Sequence, residues 1–331
     1  MEYQASRQTA LVTAAGGIGD ILRMTPLVRV CAALGYEVDV LLSPDYCETA
    51  SLIEGAPEIR RLFFLPSAWS RDRRERLAGL QREIYDLAIL TVWSAPLASR
   101  MRARRSLAFD LAEWRQRGDI ACARKIAEAI GWSGPLPPAF AIPSARRFDL
   151  PGETVALHPG CKPNWPWKKW HGFAELAAML PAVAVVGTPA DQENHNTYFR
   201  YPFAWPAHVQ NFSGSLDLAD TAALLSQCCA LVSNDSGLLH LGVAVGTPSL
   251  GIFGLTSPER ECLPAPNMFV VTKGLACEPA CRQQPWGRTD CEHHLSCLKN
   301  LAPQEVFERL ASQVLGTLRA PVESVCGAAH E

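Results

Sequence analysis

No run of apolar residues in this 331-residue chain reaches the roughly 20 needed to span a bilayer, so no membrane-spanning helix is expected. The stretch Met1-Glu2-Tyr3-Gln4-Ala5-Ser6-Arg7 lacks a charged start followed by an apolar core. No secretory signal is read there, and cytoplasmic residence is the default expectation. A large charge of one sign is also missing. With 31 Lys+Arg against 33 Asp+Glu the formal net charge is −2, and no nucleic-acid partner is expected from it. There is neither an internal repeat nor a low-complexity tract, which excludes solenoid and fibrous classes.

What is present is an ordinary globular composition, 48% hydrophobic and 19% charged, enough for a substantial core. The length favours two domains over one. Residues 1–150 hold 20 Lys+Arg and 17 Asp+Glu, so the first half carries about +3 and the remainder about −5. The excess sits in Arg71-Asp72-Arg73-Arg74-Glu75-Arg76 and Arg100-Met101-Arg102-Ala103-Arg104-Arg105. Such clusters read first as solvated helix faces. The sharper reading is an anion-facing patch for a phosphorylated acceptor, or a peripheral contact with an anionic inner-membrane surface. Twelve cysteines in a cytoplasmic chain are expected to be mostly thiols.

Apolar runs alternate with amphipathic stretches. Strands are expected at 9–15, 37–42, 60–65 and 85–92, with a helix at 18–34. Gly134-Pro135-Leu136-Pro137-Pro138, Pro143 and Pro151 block both helix and ladder, so 133–152 reads as a linker. A second series follows: strands at 154–158, 183–187, 230–234 and 248–253, helices at 170–180, 216–227 and 236–245. The fold class is α/β, with two facing Rossmann-like domains of parallel sheet, 1–150 and 151–331. Ligands in such sheets bind beyond the carboxyl ends of the strands, here in an interdomain cleft.

The first strand ends in Ala14-Ala15-Gly16-Gly17-Ile18-Gly19-Asp20, which is not the dinucleotide pattern of three spaced glycines. Gly17 and Gly19 let the backbone turn tightly and let a ligand approach. Asp20 in the first helical turn either stabilises the helix dipole or serves as a general base for an attacking hydroxyl. The strongest local signal is Leu231-Val232-Ser233-Asn234-Asp235-Ser236-Gly237-Leu238-Leu239-His240. A buried strand runs through a polar turn into an apolar helix. Its first free N–H groups, bared by Gly237, make an anion site suited to a diphosphate, with His240 one turn on. The plainer reading is a capped helix with a packed histidine. Gly254 and Thr256 offer backbone to the same anion. Lys162-Pro163-Asn164-Trp165-Pro166-Trp167-Lys168-Lys169-Trp170 mixes three lysines with three tryptophans, and a lysine there can neutralise a diphosphate leaving group. No Asp-x-Asp metal pair, Gly-x-Ser-x-Gly elbow or Walker loop occurs, which favours leaving-group stabilisation without a metal.

Cys277-x3-Cys281-x9-Cys291-x5-Cys297, with His293 and His294 inside it, has the ligand types for a tetrahedral zinc or iron site. Reduced thiols packed in a loop, or disulfides, are the competing readings.

The ordered set of Gly16-Gly17-Ile18-Gly19-Asp20-Ile21 with Thr25-Pro26, Leu157-His158-Pro159-Gly160, Lys168-Lys169-Trp170 with Phe173-Ala174-Glu175-Leu176, Asn234-Asp235-Ser236-Gly237 through His240, Gly246-Thr247-Pro248 and Phe253-Gly254-Leu255-Thr256 resembles glycosyltransferase family nine, the ADP-heptose heptosyltransferases. The resemblance runs across nearly the whole chain. It implies a GT-B fold with an N-terminal acceptor lobe and a C-terminal donor lobe. It implies inverting transfer of a heptose from ADP-heptose to a lipopolysaccharide-core or protein hydroxyl, with no cofactor needed for the chemistry. On the matching motifs, Asp20 is the base, Lys168 neutralises the diphosphate, Asp235 contacts the sugar, and Ser236, Gly237 and His240 cradle the phosphates. Asp191, or else Glu193, lies in the region that meets the donor ribose. Heptosyltransferases that modify autotransporter proteins resemble this chain in carrying an iron-bound cysteine cluster. By that likeness a metal at Cys277, Cys281, Cys291 and Cys297 is structural, holding a loop or a subunit contact in a homo-oligomer. Two competing classes remain: a non-catalytic nucleotide-sugar-binding or scaffold protein of the same fold, and an NAD-dependent oxidoreductase with Asp39 as its ribose acid.

Overall fold

The computed structural model describes residues 7–14, 16–42, 48–64, 82–92, 94, 101–142, 146–195, 200–202, 204–278 and 291–316. Five strands form the first sheet: β1 (Thr9–Ala14), β2 (Glu37–Leu42), β3 (Ile59–Phe64), β4 (Tyr85–Leu90) and β5 (Ala103–Ala108). They are all parallel, in the order β3-β2-β1-β4-β5. The second sheet contains β6 (Val155–His158), β7 (Val183–Val185), β10 (Val209–Asn211), β11 (Ala230–Asn234), β12 (Ser249–Ile252) and β13 (Met268–Val271). It too is parallel, ordered β10-β7-β6-β11-β12-β13. A small antiparallel pair, β8 (Glu193–His195) and β9 (Arg200–Pro202), stands apart. Among the described residues the α-helices are α1 (Ile18–Ala33), α2 (Ala50–Ile53), α3 (Leu111–Ala129), α4 (Phe173–Ala178), α5 (Leu218–Leu225), α6 (Gly237–Ala244), α7 (Pro258–Glu261), α8 (Ser296–Lys299) and α9 (Pro303–Arg309). This is the expected α/β class, two Rossmann-like units of parallel sheet.

Period-two alternation decides which side chains face which layer. On β1, Ala10, Val12 and Ala14 join the large core that also holds α1, α3 and α6, while Leu11 faces the opposite cluster with Leu41, Tyr85 and Met101. On β6 and β11, Ala156 and Leu231 join that same large core. Val155, Leu157, Ala230 and Val232 turn instead to a second core with Trp170, Phe173, Val306 and Leu310. One apolar cluster therefore runs from the first sheet through the helices to the near face of the second.

Helix ends are tighter than the apolar pattern suggests. Residues 170–172 lie outside α4 because Trp170 is an anchor. Its backbone N–H donates to Asn234 Oδ1 at 3.0 Å and its indole Nε1 donates to the Leu301 carbonyl at 2.8 Å. The described part of the second basic cluster corrects the helix-face reading: Ala103–Ala108 is an edge strand, its arginines lying on the sheet edge where they discourage further pairing. The first basic cluster, 71–76, lies outside the described residues. Among the described residues of 131–154 there is neither helix nor strand. No described helix is long and apolar enough to cross a membrane.

Candidate active site

Two helix N-termini abut at the divide between the sheets. The chain leaves β1 through Gly16, whose φ of +126° is open to glycine, and enters α1. A Cβ on Gly19 would lie 2.5 Å from His240 Cδ2, and one on Gly237 would lie 2.9 Å from Ile18 Cβ. Bare glycines on both helices thus set how closely α1 and α6 approach. Two positive dipole ends are brought side by side.

Asp20 is the third residue of α1. Its Oδ2 accepts the Gly17 N–H at 2.5 Å, the back-bond of a capping box, and its Oδ1 accepts Arg23 Nη2 at 2.5 Å. From the other side of the divide, Lys162 Nζ lies 3.4 Å from Oδ2. Burial raises the Asp20 pKa, but Arg23, Lys162 and the Gly17 N–H outweigh it and hold the carboxyl below its usual range.

Arg23 is buried at the same junction. Its Nε donates to Asp119 Oδ2 at 3.0 Å, and its Nη1 donates to the Glu261 carbonyl at 3.0 Å and to His240 Nε2 at 3.2 Å. The Glu261 carboxylate is 3.6 Å away. A guanidinium only donates, so His240 Nε2 is the acceptor and its proton sits on Nδ1. That buried Nδ1 has no hydrogen-bond partner among the described residues. Burial and the Arg23 charge push the His240 pKa down to about 3, leaving the ring neutral. Burial wins over Arg23 at Asp119 and Glu261, whose pKa values are raised.

Lys168 closes a 3-10 turn, Pro166–Lys168. Its Nζ donates to Asp235 Oδ2 at 2.6 Å, and Thr256 Oγ1 donates to the same oxygen at 2.7 Å. The Lys168 ammonium also stands 4.7 Å from the centroid of Trp165. Burial disfavours both charges, yet each is held by the other: Asp235 is lowered and Lys168 raised.

Ser236 is the N-cap of α6, but its hydroxyl does not cap the helix. It lies 2.9 Å from His158 Nδ1 and 3.2 Å from Ser233 Oγ. His158 Nε2 faces Asp191 Oδ2 at 3.8 Å, and that oxygen accepts the Thr188 N–H at 2.7 Å and Oγ1 at 2.9 Å. Burial opposes the Asp191 charge, but His158 and Thr188 pull its pKa down to about 2. The first-turn N–H groups of α6 are left without a side-chain cap, a ready anion site.

The structure therefore brings Gly17, Gly19, Asp20, Gly237 and His240 together at the helix junction. Lys168, Asp235 and Thr256 form one adjoining group, and Ser236 and Asp191 meet through His158. Thr256 reaches Asp235 through its hydroxyl. Of the cysteine set, Cys281 lies outside the described residues. Cys277 and Cys297 are free thiols, and among the described residues no three His, Cys, Asp or Glu gather as metal ligands. Cys291 instead packs with Trp167 and Leu255, and Cys297 Sγ lies 3.0 Å from where a Gly254 Cβ would stand, so both back the Gly254–Thr256 turn.

Residues 139–286 match the model of glycosyltransferase family 9 (heptosyltransferase). Over those residues the chain is similar to glycosyltransferase family 9. It is 28% identical over 265 residues to lipooligosaccharide heptosyltransferase 2 of Haemophilus influenzae, covering 67% of this chain and 75% of that one. In fold it matches the Escherichia coli ADP-heptose lipopolysaccharide heptosyltransferase II, with a TM-score of 0.69 and 22% identity over 94% of this chain and 100% of the other. It also matches the iron-containing dodecameric glycosyltransferase TibC of enterotoxigenic E. coli, with a TM-score of 0.62 and 15% identity over 94% of this chain and 77% of that one. The two-unit fold is thus GT-B, and the family 9 match together with the heptosyltransferase relatives supports a transferase enzyme.

Sequence reasoning missed Arg23, Asp119 and Glu261, and it quoted His158 and Lys162 within motifs without giving either a role of its own. Arg23 had a signal: one cation inside Ile21-Leu22-Arg23-Met24, an otherwise apolar stretch, must find buried partners. Asp119 and Glu261 had none, because their partner is remote in sequence.

Proposed function

We propose that this protein is an inverting heptosyltransferase that moves a heptose from ADP-heptose to a hydroxyl of a lipopolysaccharide inner core, on the cytoplasmic side of the membrane. Residues 1–150 form the acceptor lobe and 151–331 the donor lobe. The observation that carries the reading is the abutment of two helix N-termini, with a carboxylate beside each and a lysine of one loop on each carboxylate.

Asp20 is the base. The acceptor oxygen forms a bond to the anomeric carbon while that carbon's bond to the diphosphate oxygen breaks. The electron pair leaves with ADP, and the hydroxyl proton passes to Asp20 Oδ2 or Oδ1. The uncapped N–H groups at Ser236 and Gly237, with Lys168, receive the growing negative charge on the diphosphate. Asp235 fixes Lys168 and faces the sugar, while His158, held by Asp191, orients the Ser236 hydroxyl. The lowered pKa of Asp20 makes it a modest base but keeps it ionised throughout the neutral range. The test is mass spectrometry of an inner-core acceptor incubated with the protein and ADP-heptose. One added heptose with release of ADP supports the reading; an unchanged acceptor with no ADP released sinks it.

A further inference from the structure

Arg23 lies on α1 three residues after Asp20, is 6% exposed, and has partners in both sheet units. Within its own unit, Nε and Nη2 each stand 3.0 Å from Asp119 Oδ2 on α3. Across the divide, Nη1 donates to the Glu261 carbonyl of α7 at 3.0 Å and to His240 Nε2 of α6 at 3.2 Å. Nη2 also donates to Asp20 Oδ1 at 2.5 Å.

These partners are not equally fixed. The Glu261 carbonyl is backbone. His240 is buried within α6. Asp119 is anchored through its other oxygen, which accepts the Trp114 indole N–H at 2.8 Å. Asp20 is the most exposed of the three carboxylates that Arg23 meets, and its Oδ2 faces the Gly17 N–H and Lys162. A guanidinium is a rigid planar fork. Three fixed acceptors therefore set its plane, and that plane sets where Asp20 Oδ1 lies.

Two glycines admit the donor-side partners. A Cβ on Gly19 would stand 2.5 Å from His240 Cδ2. Beside Asp119, Gly118 kinks α3, and a Cβ there would stand 2.4 Å from the Arg260 carbonyl oxygen, so α7 packs directly against the kink. His240 is the fourth residue of α6, whose first turn is the anion site proposed for the diphosphate. One short helix thus offers its start to the leaving group and its next turn to Arg23.

We infer that Arg23 is a positioning residue that aims the Asp20 carboxylate by anchoring its own guanidinium on Asp119, His240 and the Glu261 carbonyl, so that the aim of the base depends on contact between the two units. This rests on the reading of Asp20 as the base. His240 then acts through Arg23, and Asp119, remote in sequence, contributes to turnover through the same guanidinium. A merely structural ion cluster would hold the four helices together without acting through Asp20.

The test uses the full chain. Arg23→Lys retains a cation for Asp119 and Glu261 but cannot present a planar fork to four acceptors. Its kcat falls about 10²-fold while ADP affinity by calorimetry stays within about threefold. Asp119→Asn lowers kcat about tenfold with the same retention of ADP affinity. Because Arg23 works through Asp20, adding Arg23→Lys to Asp20→Asn lowers single-turnover transfer by less than about threefold more. Wild-type kcat in Arg23→Lys overturns the inference, and so does a loss that multiplies in full with that of Asp20→Asn. Should Arg23→Lys fail to fold, wild-type kcat in Asp119→Asn overturns it. Normal turnover by Asp20→Asn overturns the base reading instead, so the two failures are separable.

Discussion

Asp20 and Asp235 stand on opposite sides of one divide, each beside the first turn of a helix and each touched by a lysine of the same loop. They are held differently. Asp235 is 6% exposed, with a 2.6 Å lysine contact and a threonine hydroxyl on one oxygen. Asp20 is 28% exposed, and its lysine contact is 3.4 Å long and comes from an exposed chain. A buried pair with short contacts is suited to fixing geometry, because breaking it strands a charge. A carboxylate with one loose partner is suited to exchanging that partner for a substrate. The contrast supports the proposed roles, binding for Asp235 and proton transfer for Asp20.

The contrast is sharpest at Asp20, the proposed base. Asp20→Asn keeps the shape and the Gly17 and Arg23 neighbourhood but cannot accept the proton; steady-state transfer should fall by about 10³-fold while the melting temperature barely moves. Equal losses of activity and stability would erase the distinction. Asp235→Ala should do the reverse. It leaves Lys168 in a site closed to water, at a cost of about 3–5 kcal/mol in chemical denaturation. A stability loss below about 1 kcal/mol would show that the pair is no more than a surface contact.

The glycines that press the two helices together give a smaller effect. Gly19→Ala places a methyl 2.5 Å from His240 Cδ2, so the helices must separate and Asp20 shifts away from the donor site. A loss of about 10²-fold in kcat with unchanged ADP affinity is expected. Retained kcat would mean that the close approach is not needed for turnover.

The smallest effect concerns pH. His240 is folded with a pKa of about 3, below its unfolded value near 6.5, so the unfolded chain binds the extra proton between those limits. Its share of stability is complete above about pH 6.5 and is lost as pH falls toward 3. His240→Gln should flatten the slope of unfolding free energy over that window; an unaltered slope would mean that another group titrates there.

Much of the fold was legible because β1, β6 and β11 are continuous apolar runs and the glycine turns after them are abrupt. β5 was not, since Ala-Arg-Arg-Ser-Leu-Ala is an edge strand whose arginines mask any alternation. α3 was hidden by Gly118, where φ of +75° kinks the helix against the Arg260 carbonyl. At the site, Asp20, Lys168 and Asp235 could be read from motifs that lie next to strand ends. The partners that set their charge states could not. Arg23 meets His240 across 217 residues, and Lys162 meets Asp20 across 142, and no local pattern encodes such pairs.

The most direct test of the division between the two acids is calorimetric titration of ADP into Asp20→Asn and Lys168→Ala, measured side by side with the wild type. The account predicts affinity within about threefold for Asp20→Asn and at least about tenfold weaker binding for Lys168→Ala. Equal weakening in both, or unchanged binding in Lys168→Ala, would contradict it.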